Sequence, residues 1–237
     1  MQTSFGVMNV DIQDLNGWKD FLLVYKFAMD EVNTKLKILN EEFRFSHNYN
    51  PIEHLKSRLK TPASIVQKLK RKNLEVSLES ARKHIHDVAG IRIICSFTTD
   101  IYKILDILCK QSDIYMVEVK DYIKNPKPNG YRSLHLIVEI PVFLANRTEH
   151  VKVEIQIRTI AMDFWASLEH KIFYKFQREI PKELTDQLRE SAALVHQLDK
   201  QMLAINEEIQ QFKINDGIEY DEGQQTINLA LTSKFST

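Results

Sequence analysis

Residues 151–159, Val-Lys-Val-Glu-Ile-Gln-Ile-Arg-Thr, alternate apolar and polar side chains without a break. Period-two alternation of this length specifies a half-buried β-strand. Val151, Val153, Ile155 and Ile157 face a core, and Lys152, Glu154, Gln156 and Arg158 face away from it. A second stretch, Tyr131–Val142, places Leu134, Leu136 and Val138 on one side and Tyr131, Ser133 and His135 on the other. The seven residues Phe-Leu-Ala-Asn-Arg-Thr-Glu join the two, which predicts an antiparallel hairpin with a longer loop. If the apolar sides coincide, Tyr131, Ser133 and His135 share a face with Glu154, Gln156 and Arg158. That face carries an aromatic ring, an imidazole, a carboxylate and a guanidinium, a variety that water alone does not require, although solvated sheet faces are often mixed.

The remaining pattern surrounds this hairpin with helices and further strands. Trp18, Leu22, Tyr25, Met29, Val32, Leu36, Leu39 and Phe43 recur at steps of four and three, the seam of a long amphipathic helix. Asn50-Pro51 and Thr61-Pro62 each offer an N-cap followed by proline at the first helical position, predicting two short helices. Ser77 caps another, running towards His86. The β-branched run Ile-Arg-Ile-Ile-Cys after Gly90 predicts a central strand, followed by a helix near Ile101–Lys110 and a strand over Ile114–Tyr122. Lys-Asn-Pro-Lys-Pro-Asn-Gly at 124–130 is turn chemistry. Ile160–Phe176 reads as a helix, and after Pro181 a heptad seam of Leu188, Val195, Leu198, Met202, Ile205, Ile209 and Phe212 demands a partner. That partner is either the first helix of the same chain or another subunit. The fold class is therefore α/β (α+β): a mixed sheet of about five strands flanked by helices, with long terminal helices. Residues 1–15 read as an extension, 16–212 as the folded domain and 213–237 as a flexible tail.

Lysine plus arginine equals aspartate plus glutamate, 32 of each, so no global field draws this chain to nucleic acid or membranes. Any electrostatic function is local. Between His54 and Leu74 stand seven basic residues, Lys56, Arg58, Lys60, Lys68, Lys70, Arg71 and Lys72, and no acidic one. On a helix from Pro62, Ser64, Lys68 and Arg71 share one face and Ile65 and Leu69 another. A hydroxyl and two cations in a row suit a polyphosphate, while a solvated basic face is the plainer alternative. The six glycines form neither phosphate-binding loop, G-x-G-x-x-G or G-x-x-x-x-G-K, so side chains must hold any phosphate. Asp87 lies just ahead of the central strand, from which Arg92 points away from the core. Magnesium is held beside substrate phosphates by one or two carboxylates, which Asp87 and Glu154 could provide, while a helix-end or turn aspartate is the plainer alternative for Asp87. Cys95 and Cys109 lack metal or redox spacing and read as small reduced core residues. No apolar stretch is long enough to span a bilayer and no leader pattern opens the chain, so the cytoplasm is expected.

The segments Ser57–Lys72, His86–Phe97, Asp121–Leu136 and Val153–Lys175, in that order, resemble the synthetase domain of the alarmone-making family typified by RelA and SpoT, in its short form, the small alarmone synthetases. The resemblance implies a nucleotidyltransferase-like synthetase fold and transfer of pyrophosphate from ATP to the 3′-hydroxyl of GDP or GTP. By that resemblance Arg58 and Arg92 sandwich adenine, and Lys60, Ser64, Lys68 and Arg71 hold the ATP phosphates. Asp87 and Glu154 hold magnesium, and Glu154 is also the general base. Tyr131 stacks on guanine, Lys120, Lys127 and His135 contact the acceptor phosphates, and Gln156 and Arg158 order the site. It further implies homotetramers built through terminal helices, with no need for membrane or nucleic acid. His54 and Asp163 stand where activated members have an aromatic residue and an asparagine. Because an added carboxylate would repel a polyphosphate, weak or absent activation by product is expected. From another functional class, a single-stranded RNA-binding module would also use basic residues and exposed rings, but it leaves Asp87 and Glu154 without purpose.

Overall fold

The computed structural model describes residues 12–46, 49–173 and 180–215. Its elements are α1 (Ile12–Ser46), β1 (Ile52–Leu59), α2 (Pro62–Arg71), α3 (Leu78–His84), β2 (Ala89–Cys95), α4 (Thr98–Cys109), β3 (Tyr115–Asp121), β4 (Leu134–Phe143), β5 (Thr148–Thr159), α5 (Ile160–Phe173) and α6 (Lys182–Asn215). The strands form one five-stranded sheet in the order β1-β2-β5-β4-β3. β2 and β5 run parallel and every other neighbouring pair antiparallel, so the sheet is mixed as expected.

The hairpin forms with its apolar sides in register: Leu136 is opposite Ile155, and Val138 opposite Val153. These residues, with Ile91 and Ile93 of β2, are buried on one face of the sheet. Onto that face pack Phe21, Val24, Ala28, Val32 and Leu36 of α1 and Ile101, Ile104 and Leu108 of α4, all within one core. Burying a side chain of this size contributes about 1.5–3 kcal/mol, so this layer dominates the stability and leaves the opposite face free for polar work. The seam of α1 is thus consumed by the chain's own sheet. The seam of α6 is not: Leu198, Met202, Ile205, Ile209 and Phe212 are between 43% and 66% exposed.

The Thr61 and Ser77 caps form as the sequence indicates, each side chain accepting a backbone N–H three residues on. The helix expected after Asn50-Pro51 does not. Asn50 accepts from the Ile52 amide at 2.9 Å and donates to Asn40, but the turn launches β1, which pairs along its length with β2. An Asx turn satisfies the same backbone donor whether a helix or a strand follows, and the free edge of β2 decides in favour of the strand. Cys95 is buried, whereas Cys109 ends α4 exposed to solvent rather than in the core. The outer part of the helix expected to reach Phe176, and the tail beyond Asn215, lie outside the described residues. No helix among the described residues is long and apolar enough to cross a membrane.

Candidate active site

Strand register assembles the polar face. One row across the sheet reads Arg58, Gly90, Glu154, Ile137, and the next reads Lys56, Arg92, Gln156, His135, Lys120. Residues spread over a hundred positions of sequence thus become neighbours through backbone pairing alone. Gly90 puts no side chain between Arg58 and Glu154, and there a cleft of about 270 Å3 opens, lined by Arg58, Lys60, Asp87, Arg92, Glu154 and Gln156 among others.

Asp87 sits on the cleft wall where the turn after α3 enters β2. The Lys60 amide bonds the Val88 carbonyl at 2.8 Å and fastens the end of β1 to that turn. Lys60 Nζ lies 2.5 Å from Asp87 Oδ2, and Lys68 Nζ, from α2, 2.8 Å from Oδ1. Burial opposes the charge on Asp87, but the two lysines outweigh it and hold the carboxyl below the usual aspartate range. Oδ1, shut off from solvent, has no aligned hydrogen-bond donor despite the nearby ammonium. Asp87 also repels Glu154 across the cleft. Asp87 and Glu154, two carboxylates on one cleft, form a donor pair that suits a divalent cation, which would take the place of a lysine ammonium on Asp87. The described residues contain no group of three or more His, Cys, Asp or Glu poised around a metal, so the donor set fits an ion that brings phosphate ligands with it.

Glu154 belongs to a closed ring of side chains. Arg158 Nη2 donates to the Tyr131 hydroxyl at 2.6 Å, and that hydroxyl lies 2.7 Å from His135 Nε2. The assignment that serves both partners has the tyrosine accept from Arg158 and donate to Nε2, with the proton of a neutral imidazole on Nδ1. Nδ1 stands 3.5 Å from Glu154 Oε1. Gln156 closes the circuit, donating to Glu154 Oε2 at 2.9 Å and accepting from Arg158 Nη2 at 2.9 Å. Burial pushes His135 below its usual range, and Arg158 and Lys127 push in the same direction against the pull of Glu154. Burial works against the charge on Glu154, but His135 and the Gln156 amide hold its carboxyl below the ordinary glutamate value. At neutral pH the ring therefore presents an ionised carboxylate to the cleft.

The acceptor-side residues gather beside it. Lys127 Nζ lies 4.7 Å from the ring centres of both Tyr122 and Tyr131, a cation between two π-faces. Gly130, at φ +87°, lets the loop before Tyr131 press against α6; a Cβ there would lie 2.5 Å from that of Ala192. Trp165, Ala166 and Ala192 pack with Tyr131 in a small apolar cluster of their own. Lys120 is paired with Glu118 at 2.9 Å, and this bond raises its pKa. Ser133 is buried and accepts from Arg158 Nε at 3.4 Å.

Of the expected site residues, Arg58, Lys60, Asp87, Arg92, Glu154 and Gln156 line the cleft itself, and Lys68 reaches it through Asp87. Tyr131, His135 and Arg158 join it through the ring. Ser64 bonds its own cap, Thr61, at 2.9 Å, and Arg71, exposed at the end of α2, is outside the cleft lining. Three functional-face residues have no place in the expected set: Lys56, Tyr122 and Asp163. Lys56 lies in the basic run, and alternation from Arg58 would have placed it on the same face. Asp163 carried no such signal. It lies in the first turn of α5, folded back over the end of β5, and its carboxylate meets Arg92, Arg158 and Lys56. Its charge is therefore neutralised within the chain, which removes the free repulsion on which the expectation of weak product activation was argued.

Residues 57–179 match a region found in RelA / SpoT proteins. The chain is 57% identical over 195 residues to the GTP pyrophosphokinase YwaC of Bacillus subtilis, an alignment covering 82% of this chain and 93% of the relative. The crystal structure of small alarmone synthetase 2 from Bacillus subtilis superposes with a TM-score of 0.74 at 57% identity, covering 81% of this chain and 98% of the other. That of small alarmone synthetase 1 from the same organism, bound to its product pppGpp, gives 0.76 at 37% identity, covering 82% and 98%. The five-stranded mixed sheet and its flanking helices are shared with these structures.

Proposed function

This chain belongs to the RelA/SpoT family, and from that membership we propose that it is a GTP pyrophosphokinase, a small alarmone synthetase. It transfers the β,γ-pyrophosphate of ATP to the 3′-hydroxyl of GDP or GTP, yielding AMP and ppGpp or pppGpp. The observation that carries the reading is the pair of sheet rows that bring cations and an ionised Glu154 to the cleft whose wall holds Asp87.

Glu154, charged at neutral pH, accepts the proton of the attacking hydroxyl as general base. Arg58 and Arg92, opposed in adjacent rows, offer guanidinium planes to adenine. Lys60 and Lys68 offset the charge of the ATP phosphates, and Ser64 and Arg71, on α2 beyond the cleft lining, offer a hydroxyl and a further cation to the phosphate chain. Asp87 and Glu154 are the residues that would hold magnesium, which would supply positive charge against the phosphates. Tyr131 takes the guanine, and its entry displaces the Lys127 ammonium from the ring toward the acceptor phosphates, where Lys120 also reaches. His135, with both nitrogens engaged inside the protein, acts on Glu154 and Tyr131. Gln156 and Arg158 fix that ring.

The open seam of α6 supports assembly into homotetramers, and the absence of any described spanning helix is consistent with a cytoplasmic enzyme. An RNA-binding module draws no support from the relatives described above. The direct test incubates the protein with doubly labelled ATP, whose β and γ phosphates carry the label, together with GDP and magnesium. Both labelled phosphates should move together to the guanosine nucleotide as AMP appears. Release of ADP, or of free pyrophosphate alone, overturns the reading.

A further inference from the structure

We infer that Asp163 is a positioning residue that holds the adenine-side and acceptor-side guanidiniums in one fixed arrangement; the inference rests on reading the cleft as a two-nucleotide site. One carboxylate oxygen, Oδ1, lies 2.9 Å from Arg92 Nη1 and 3.0 Å from Arg158 Nη1, and accepts from both. The other, Oδ2, lies 3.7 Å from Lys56 Nζ. Two guanidiniums this close repel each other, and the shared oxygen turns that repulsion into a bridge. The bridge is not a surface pair: Asp163 is 9% exposed and Arg158 4%. The carboxylate also sits in the first turn of α5, a 14-residue helix whose amide dipoles favour a negative charge there.

The bridge reaches both halves of the cleft. Arg92, partly open, is held at one edge nitrogen, which leaves its plane available to a ring. Arg158 carries the effect onward by donating to Tyr131, and to Gln156 bonded to Glu154. Loss of the Asp163 charge therefore frees Arg92 on the ATP side and loosens Tyr131 on the acceptor side at once. An ion pair that only stabilised the fold would lower Tm and leave nucleotide affinities untouched.

The test compares wild type with Asp163→Asn, which keeps the volume and removes the charge. Dissociation constants for ATP and for GDP are measured separately by calorimetry, KM and kcat in turnover, and folding by thermal unfolding. A folded variant should bind both nucleotides about tenfold or more weakly, with both KM values raised. Both dissociation constants within twofold of wild type, or a change in Tm alone, overturns the inference. Should the asparagine variant not fold, Asp163→Glu decides. It keeps the charge but displaces it by about 1.5 Å, enough to misplace both arginines; both affinities falling supports the bridge, and neither falling overturns it. A wild-type protein that binds both nucleotides yet makes no alarmone refutes the synthetase reading, while the binding comparison still decides the part played by Asp163.

Discussion

His135 stands between Tyr131 and Glu154 with both ring nitrogens engaged, Nε2 2.7 Å from the tyrosine hydroxyl and Nδ1 3.5 Å from a carboxylate oxygen of Glu154. Burial, with Arg158 and Lys127 close by, favours the neutral imidazole against the pull of Glu154. Protonation would put a second N–H against the tyrosine, and burial together with Arg158 and Lys127 resists it.

A pH dependence follows. The folded His135 titrates below the unfolded side chain's ordinary value of about 6.5. As pH falls below that value the unfolded state binds the extra proton first, so the stability His135 contributes is present above it and is lost towards acid. Turnover, which follows the folded enzyme, should fall at still lower pH, where the ring of the native protein takes up its proton and its bond with Tyr131 is broken. His135→Gln should lower kcat about tenfold and flatten the acid limb, which lies below the ordinary imidazole value of about 6.5. An unchanged pH–rate profile in that variant would assign the limb elsewhere.

Asp87 is charged in the folded protein through Lys60 and Lys68, one ammonium on each carboxylate oxygen. Asp87→Asn removes that charge without changing volume. The expected outcome is a loss of kcat of about 10²-fold or more and a higher magnesium concentration for half-maximal rate. Chelation of divalent ions should abolish wild-type turnover, with recovery on adding magnesium back.

Gly130 adopts φ +87° and its hydrogen faces Ala192 of α6. Gly130→Ala should cost about 1–3 kcal/mol, from the left-handed backbone and the collision together, visible as a lower Tm. It should also raise the KM for the acceptor more than that for ATP, since the displaced loop carries Lys127 and Tyr131. Equal changes in both would mean that the damage is global.

The exposed stripe on α6 should be an association surface. Ile205→Glu combined with Ile209→Glu should shift the sedimentation or light-scattering mass to a smaller species without lowering helix content. A wild-type protein that is already monomeric contradicts the tetramer proposed from this stripe.

How much of this was legible in the sequence depended on the range of the interaction concerned. The Val151–Thr159 alternation fixes its own exposed face, and hairpin pairing follows from the shared apolar side, so His135, Glu154, Gln156 and Arg158 were visible together. Thr61 and Ser77 were equally legible, because a cap is made by residues three apart. Asn50-Pro51 carried the same local signal into a strand, since only the unpaired edge of β2, forty residues away, selects the outcome. Asp163 was legible only by resemblance, as a position tied to product activation, and its place beside the cleft was hidden for a related reason. Its role arises from the tight turn between β5 and α5 that lays it over Arg92 and Arg158, and no periodicity in its own neighbourhood records that. The exposure of Cys109 shows the same limit: its neighbours are apolar, but its position at the end of α4 faces solvent.

The account turns on Glu154 as the proton acceptor of a two-nucleotide cleft, and single-turnover kinetics of Glu154→Gln test this most directly. With ATP, GDP and magnesium all saturating, the variant should remain folded and transfer pyrophosphate at least about 10²-fold more slowly than wild type, while calorimetry shows ATP and GDP still bound. A folded Glu154→Gln enzyme that transfers the group at a rate within a few-fold of wild type would contradict it.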